Sequence, residues 1–166
     1  MKIYLIGMPG SGKSTLGQLL AERFSLPFVD LDTVIEDQQQ KAVSDIFREQ
    51  GEDHFRLIES QLLLEWAGSE KSFVMATGGG APCFHQGIDI INQSGMSIFL
   101  DVSIDVLLNR LHSKTDRPLL NSINAEEKDK KLKAIRTSRL ICYRKAHLTV
   151  TDPTLAKLME AIQLKK

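Results

Sequence analysis

The chain reads as an α/β domain: a parallel sheet of five strands, three layers deep, with helices on both faces. Two observations predict this. Short apolar runs alternate with helix-sized segments along the whole sequence, and strands separated by helices form a parallel sheet covered on both sides. The composition agrees, since 166 residues that are 42% hydrophobic and 25% charged suit one compact domain, taken as residues 1–166.

The elements follow in order. "KIYLIG" (2–7) is a buried first strand, too short for a signal-peptide core or a membrane span. A helix is expected over 14–24, then a strand at 27–31 and helices at 33–39 and 44–67. "SFVMAT" (72–77) and "SIFLDV" (97–102) are further strands, with helices at 85–93 and 103–112. The window 113–131 is polar and weakly periodic, either a flap or an exposed loop, and it runs into a helix at 125–143. "HLTVT" (147–151) is the last strand. Behind Pro153 a final helix carries Leu155, Leu158, Met159 and Ile162 at helical spacing.

Charge limits the partners. Twenty-one basic residues balance twenty-one acidic ones, so no overall field draws the chain to nucleic acid or membrane, and any anion site is local. A cytoplasmic monomer acting on small molecules is the expectation. Cys83 and Cys142 lie far apart in sequence and form no metal or redox motif, so free thiols are expected.

The first strand runs into "GMPGSGKS", Gly7 to Ser14, which fills every position of G-x-x-x-x-G-K-[ST]. The glycines let successive backbone N–H groups converge on phosphate oxygens. Lys13 adds a point charge for the terminal phosphates, and the Ser14 hydroxyl is a hard ligand for the accompanying Mg²⁺. The helix that follows aims its positive end at the anion. Gly10, Ser11, Gly12, Lys13, Ser14 and Thr15 are therefore the candidate ATP-binding run, and the fold is that of a P-loop protein.

Three more clusters bear on what receives the phosphate. "VDLD" ends the second strand with Asp30 and Asp32 two apart, on one face if the segment is extended. One carboxylate could hold Mg²⁺ through water and the other accept a hydroxyl proton; a polar strand end capping the next helix is the plainer alternative. In "FREQGEDHFRLIE", Arg56 and Glu59 sit one helical turn apart, as a surface bridge or as a clamp for a carboxylate. "TGGGA" places Gly78, Gly79 and Gly80 after the third strand, where bare backbone admits a ligand closely. No guanine-reading "NKxD"-like segment is present, so a small-molecule kinase fits better than a switch.

These segments together resemble the shikimate kinases. "GMPGSGKS", "DLD", "GEDHFRLIE", "TGGGA", "RPLL" and "SRLICY" occur in that family's order from Gly7 to about Pro153. The resemblance implies transfer of the γ-phosphoryl group of ATP to the 3-hydroxyl of shikimate, with Mg²⁺, in aromatic amino acid biosynthesis. It implies an acceptor region at about 31–60 and a mobile lid at about 113–125. Asp32 then binds the shikimate hydroxyls and acts as base, and Asp30 is the second-sphere Mg²⁺ partner. Arg56 and Arg139 grip the carboxylate, Glu59 orients Arg56, and the backbone of Gly79 touches the substrate. Phe47 and Phe55 supply apolar walls, Arg117 closes over the phosphates, and Arg110 and Pro153 flank the adenine. Arg136 lies one turn before Arg139; the family pattern, with Tyr143 four residues on, favours Arg139. The lid carries extra residues near Asn121–Asn124. The triplet is expected to be the acceptor's wall, where any side chain would take substrate space. Rival readings are a related kinase for gluconate or a nucleoside monophosphate, and a nucleotide-binding regulatory module without transfer.

Overall fold

The computed structural model describes residues 1–112 and 125–165. Five strands, β1 (Lys2–Ile6), β2 (Phe28–Asp30), β3 (Phe73–Ala76), β4 (Met96–Asp101) and β5 (Leu148–Thr151), form one sheet in the order β2-β3-β1-β4-β5. Every neighbouring pair is parallel. The predicted three-layer, five-stranded architecture is the one observed.

Alternation along β1 builds both faces. Ile3 and Leu5 point to one side, where Val74, Ile98 and Leu100 join Leu20 and Ala21 of α1 (Lys13–Phe24) and Leu158 and Ile162 of α7 (Leu155–Leu164). Tyr4 and Ile6 point to the other. There Met75 and Phe99 pack with residues of α2 (Leu31–Gln39), α3 (Val43–Gly68), α4 (Gly87–Ser94), α5 (Ile104–His112) and α6 (Ala125–Tyr143). The central strands are buried on both sides, which is why they read as unbroken apolar runs.

Three details depart from the expectations. The strand expected over 27–31 ends at Asp30, and α2 starts at once. The helix over 44–67 is broken at Gly51, whose φ of 84° and ψ of 170° lie outside the helical region. The helix over 85–93 is a 3₁₀ turn, Ala81–Cys83, followed by α4, with His85 and Gln86 at positive φ between them. Of the polar window 113–131, residues 125–131 belong to α6; the lid expectation at 113–124, with Arg117 and Asn121–Asn124, lies outside the described residues.

Candidate active site

The strand order puts the carboxyl ends of β2, β3 and β1 side by side, and ligands bind at that edge in open α/β sheets. Three loops meet there: the Asp30–Asp32 turn, the glycine triplet and the phosphate loop. They line a cleft of about 570 Å³ that also takes in Thr77, Arg110, Leu111 and Pro153.

The phosphate loop is built locally. Gly10 and Gly12 adopt left-handed backbone (φ +83° and +93°), and Gly12 caps α1. Lys13 is buried, and its ammonium donates to the carbonyls of Gly7 at 2.9 Å and Met8 at 3.0 Å. Arg110 reaches across from α5 and donates to the Gly10 carbonyl at 2.9 Å. Ser11 Oγ is buried in the loop without a hydrogen-bond partner, a group that calls for a ligand.

Asp30 does two things at once. Its Oδ1 accepts the Asp32 N–H at 3.1 Å, capping α2, and its Oδ2 accepts the Ser14 hydroxyl at 2.7 Å. The aspartates are thus brought together by a helix cap, not by sharing a face of an extended strand. Ser14 and Asp30 are hard oxygen donors of the kind Mg²⁺ takes, and phosphate oxygens and water would complete its shell. Among the described residues no group of three or more His, Cys, Asp or Glu could cage a metal.

Asp32, in the first turn of α2, opens into the cleft. Loss of bulk water on its protein side holds its carboxyl above the ordinary value, the Asp30 carboxylate adds to this, and Lys13 opposes it.

Arg56 and Glu59 form no surface bridge. Arg56 is 6% exposed and Glu59 1%, with Nη1 donating to Oε2 at 2.7 Å. The far edge of the guanidinium donates to Glu52 Oε1 from Nε (3.3 Å) and Nη2 (3.2 Å). Three rings enclose it: Phe47, Phe55 and Phe84, at 5.8, 5.1 and 4.5 Å from Cζ. Phe47 and Phe55, on either side of the break at Gly51, pack with ring centroids 4.6 Å apart and planes tilted by 37°. Burial raises the Glu59 carboxyl; the Arg56 charge and hydrogen bond pull the other way. Glu59 Oε1 is buried without a hydrogen-bond partner.

The triplet meets these charges directly. A Cβ on Gly80 would stand 2.4 Å from Arg56 Cζ, one on Gly78 2.6 Å from Glu59 Oε1, and one on Gly79 3.0 Å from Arg139 Nη1. None of the three has positive φ. A Cβ at any of the three would collide first with protein side chains already in place. Arg139 reaches the triplet, whereas Arg136 pairs with Asp101 at 2.8 Å. Tyr143, fully buried, donates its hydroxyl to the Gly79 carbonyl.

Sequence reasoning gave Glu52 and Phe84 no role, and took Tyr143 only as a marker for Arg139. Only "GED" ahead of "FRLIE" hints at Glu52, since it lies one turn before Arg56.

Comparison with known proteins follows the same lines. A family model described as "Shikimate kinase" matches residues 9–164. A shikimate kinase of Phocaeicola vulgatus is 46% identical over 127 residues, 76% of this chain and 72% of the relative. One from Rippkaea orientalis is 42% identical over 169 residues, 98% of this chain and 88% of the relative. Among solved structures, Bacteroides thetaiotaomicron shikimate kinase superposes with a TM-score of 0.88 at 34% identity, covering 99% of this chain and 96% of that one. The Acinetobacter baumannii shikimate kinase in complex with shikimate gives 0.85 at 32%, covering 99% and 90%.

Proposed function

The chain belongs to the shikimate kinase family, and on that premise we propose how its residues carry the γ-phosphoryl group of ATP to the 3-hydroxyl of shikimate, giving shikimate 3-phosphate and ADP. The observation that carries the assignment of roles is the meeting of Asp32, the glycine triplet and the phosphate loop in one cleft.

The backbone N–H groups of Gly10 to Thr15 hold the ATP phosphates. Lys13, turned onto its own loop carbonyls, swings to the terminal phosphates. Ser14 and Asp30 would hold Mg²⁺, which would supply neutralisation of the phosphate charge. Arg110 and Pro153 border the adenine end. Arg56 and Arg139 bind the shikimate carboxylate, with Glu59 and Glu52 fixing the plane of Arg56 and the phenylalanines excluding water around it. Asp32 orients the attacking hydroxyl and takes its proton. Phosphoryl transfer needs positioning and charge neutralisation more than covalent chemistry, and this set supplies both. The balanced charge supports small molecules as its partners; a cytoplasmic monomer is the accompanying reading, and a sizing experiment tests the monomer. Among the described residues no helix is long and apolar enough to cross a membrane.

The test follows ADP release with Mg²⁺ and ATP in parallel against shikimate, gluconate, nucleoside monophosphates and no acceptor. Release should depend on shikimate and fall about 10²- to 10⁴-fold in Asp32→Asn, the range for loss of a general base. Equal release with gluconate or a nucleotide would overturn the acceptor assignment.

A further inference from the structure

The three carbonyls of the glycine triplet are all held, but in two different ways. Gly78 accepts the Ala81 N–H at 3.2 Å and Gly80 accepts the Cys83 N–H at 2.8 Å, both within the local turn. The middle carbonyl, that of Gly79, is held by a side chain 64 residues away, the hydroxyl of Tyr143. A peptide flanked by glycine on both sides has little conformational preference of its own. Its orientation has to come from a partner.

Tyr143 is built to be that partner. Its side chain is fully buried at the C-terminal end of α6, and its ring packs on Phe99 with centroids 5.1 Å apart. Burial raises the phenol above its ordinary value, with the Arg139 charge opposing, so it stays protonated and donates. A hydroxyl has one proton, and the Gly79 carbonyl is its stronger acceptor. Met8 Sδ, a weak acceptor, lies 3.9 Å from the same oxygen, so the hydroxyl also meets the phosphate loop.

We propose that Tyr143 is a positioning residue for the acceptor: its hydroxyl fixes the Gly79–Gly80 peptide, and with it the backbone surface that shikimate meets. The inference rests on the acceptor assignment made above. Carbonyl and N–H of one trans peptide point in opposite directions. With the Gly79 carbonyl turned inward to Tyr143, the Gly80 N–H is turned away from it, while Gly79 lines the cleft. Without the hydroxyl, a buried carbonyl loses its donor and the glycine peptide is free to turn. A thioether that loses a donor forfeits far less, so the phosphate loop is little affected.

The experiment compares Tyr143→Phe with Phe99→Leu in the full chain. The first removes the hydroxyl and keeps the ring; the second loosens the ring's packing and keeps the hydroxyl. Tyr143→Phe should raise the KM for shikimate about tenfold, the scale of a buried acceptor left unpaired. The kcat and the KM for ATP should stay within about twofold, as for lost uniform binding of one substrate. Phe99→Leu should lower the melting temperature and leave the KM for shikimate unmoved. A parental KM for shikimate in Tyr143→Phe, or an equal rise in Phe99→Leu, overturns the proposal. Isotope-labelled glycine reads the peptide itself by NMR. The unaltered protein should give one Gly79–Gly80 carbonyl–amide cross-peak, and a doubled one overturns the proposal whether or not the variants fold. If the unaltered protein fails to turn over shikimate, the acceptor reading fails instead, and the cross-peak still decides whether the peptide is fixed.

Discussion

Two glycine-rich segments meet in one cleft for opposite physical reasons. In the phosphate loop, Gly10 and Gly12 are needed for backbone: both have positive φ, and an added Cβ would find nothing closer than 3.7 Å. In the triplet, Gly78, Gly79 and Gly80 have ordinary backbone, and each added Cβ would meet a charged side chain at 3.0 Å or less. The first segment is a conformation and the second is a clearance. A conformational demand is met by neighbours in sequence; a clearance depends on what α2, α3 and α6 bring to the same place. The phosphate half should therefore fail locally, and the acceptor half through its distant supports.

The largest test of that separation is Lys13→Met. Loss of the phosphate-binding charge should lower kcat about 10³-fold while calorimetry finds shikimate binding intact. A parallel loss of shikimate affinity would show that the halves are one unit. Next is Arg56→Ala, which leaves Glu59 buried and unpaired. Removing one partner of a buried pair costs about 3–5 kcal/mol, so the melting temperature should drop clearly and the KM for shikimate rise. A melting temperature equal to the parent's would show that Glu59 escapes its burial.

The glycines themselves give a paired test of smaller size. Gly80→Ala must displace a guanidinium pinned by two glutamates and three rings. Overpacking costs about 1–3 kcal/mol, read as a KM for shikimate roughly ten- to a hundredfold higher with the KM for ATP unmoved. Gly79→Ala, with the looser contact, should be milder. Gly12→Ala should reverse the split, because holding alanine in left-handed backbone costs about 1–2 kcal/mol and the affected ligand is ATP. Identical splits for Gly80 and Gly12 would erase the distinction.

The smallest expected displacement is on the pH axis. Partial loss of bulk water in the cleft and the Asp30 carboxylate raise Asp32, and the base works ionised, so activity is lost as pH falls through a value above the ordinary 3.8. The acid limb of kcat/KM for shikimate should lie above the usual aspartate range. A limb at 3.8 or below would remove Asp32 as the titrating base.

The legible and illegible parts of the site divide the same way. "GMPGSGKS" was readable because each role in the loop belongs to a residue adjacent to the next. Asp30 and Asp32 were readable as a pair, but the geometry joining them was misread: a cap onto Asp32 N–H replaces a shared strand face. Arg56 and Glu59 by themselves read first as a surface bridge and second as a clamp, since spacing fixes that two side chains can touch and says nothing of burial. Phe84, at 4.5 Å from Arg56 Cζ, gives no local pattern, and the Tyr143 bond to the Gly79 carbonyl joins residues 64 apart in sequence.

The sequence alone determined the parallel sheet, the helices that cover it, the phosphate loop and the family, because hydrophobic periodicity and contiguous backbone chemistry are written in order along the chain. Tertiary structure alone decided that the Arg56–Glu59 pair is buried and that Arg139 reaches the triplet while Arg136 turns to Asp101. Those outcomes depend on which surfaces the packed helices cover and which distant atoms compete for one volume, and only the folded chain sets either.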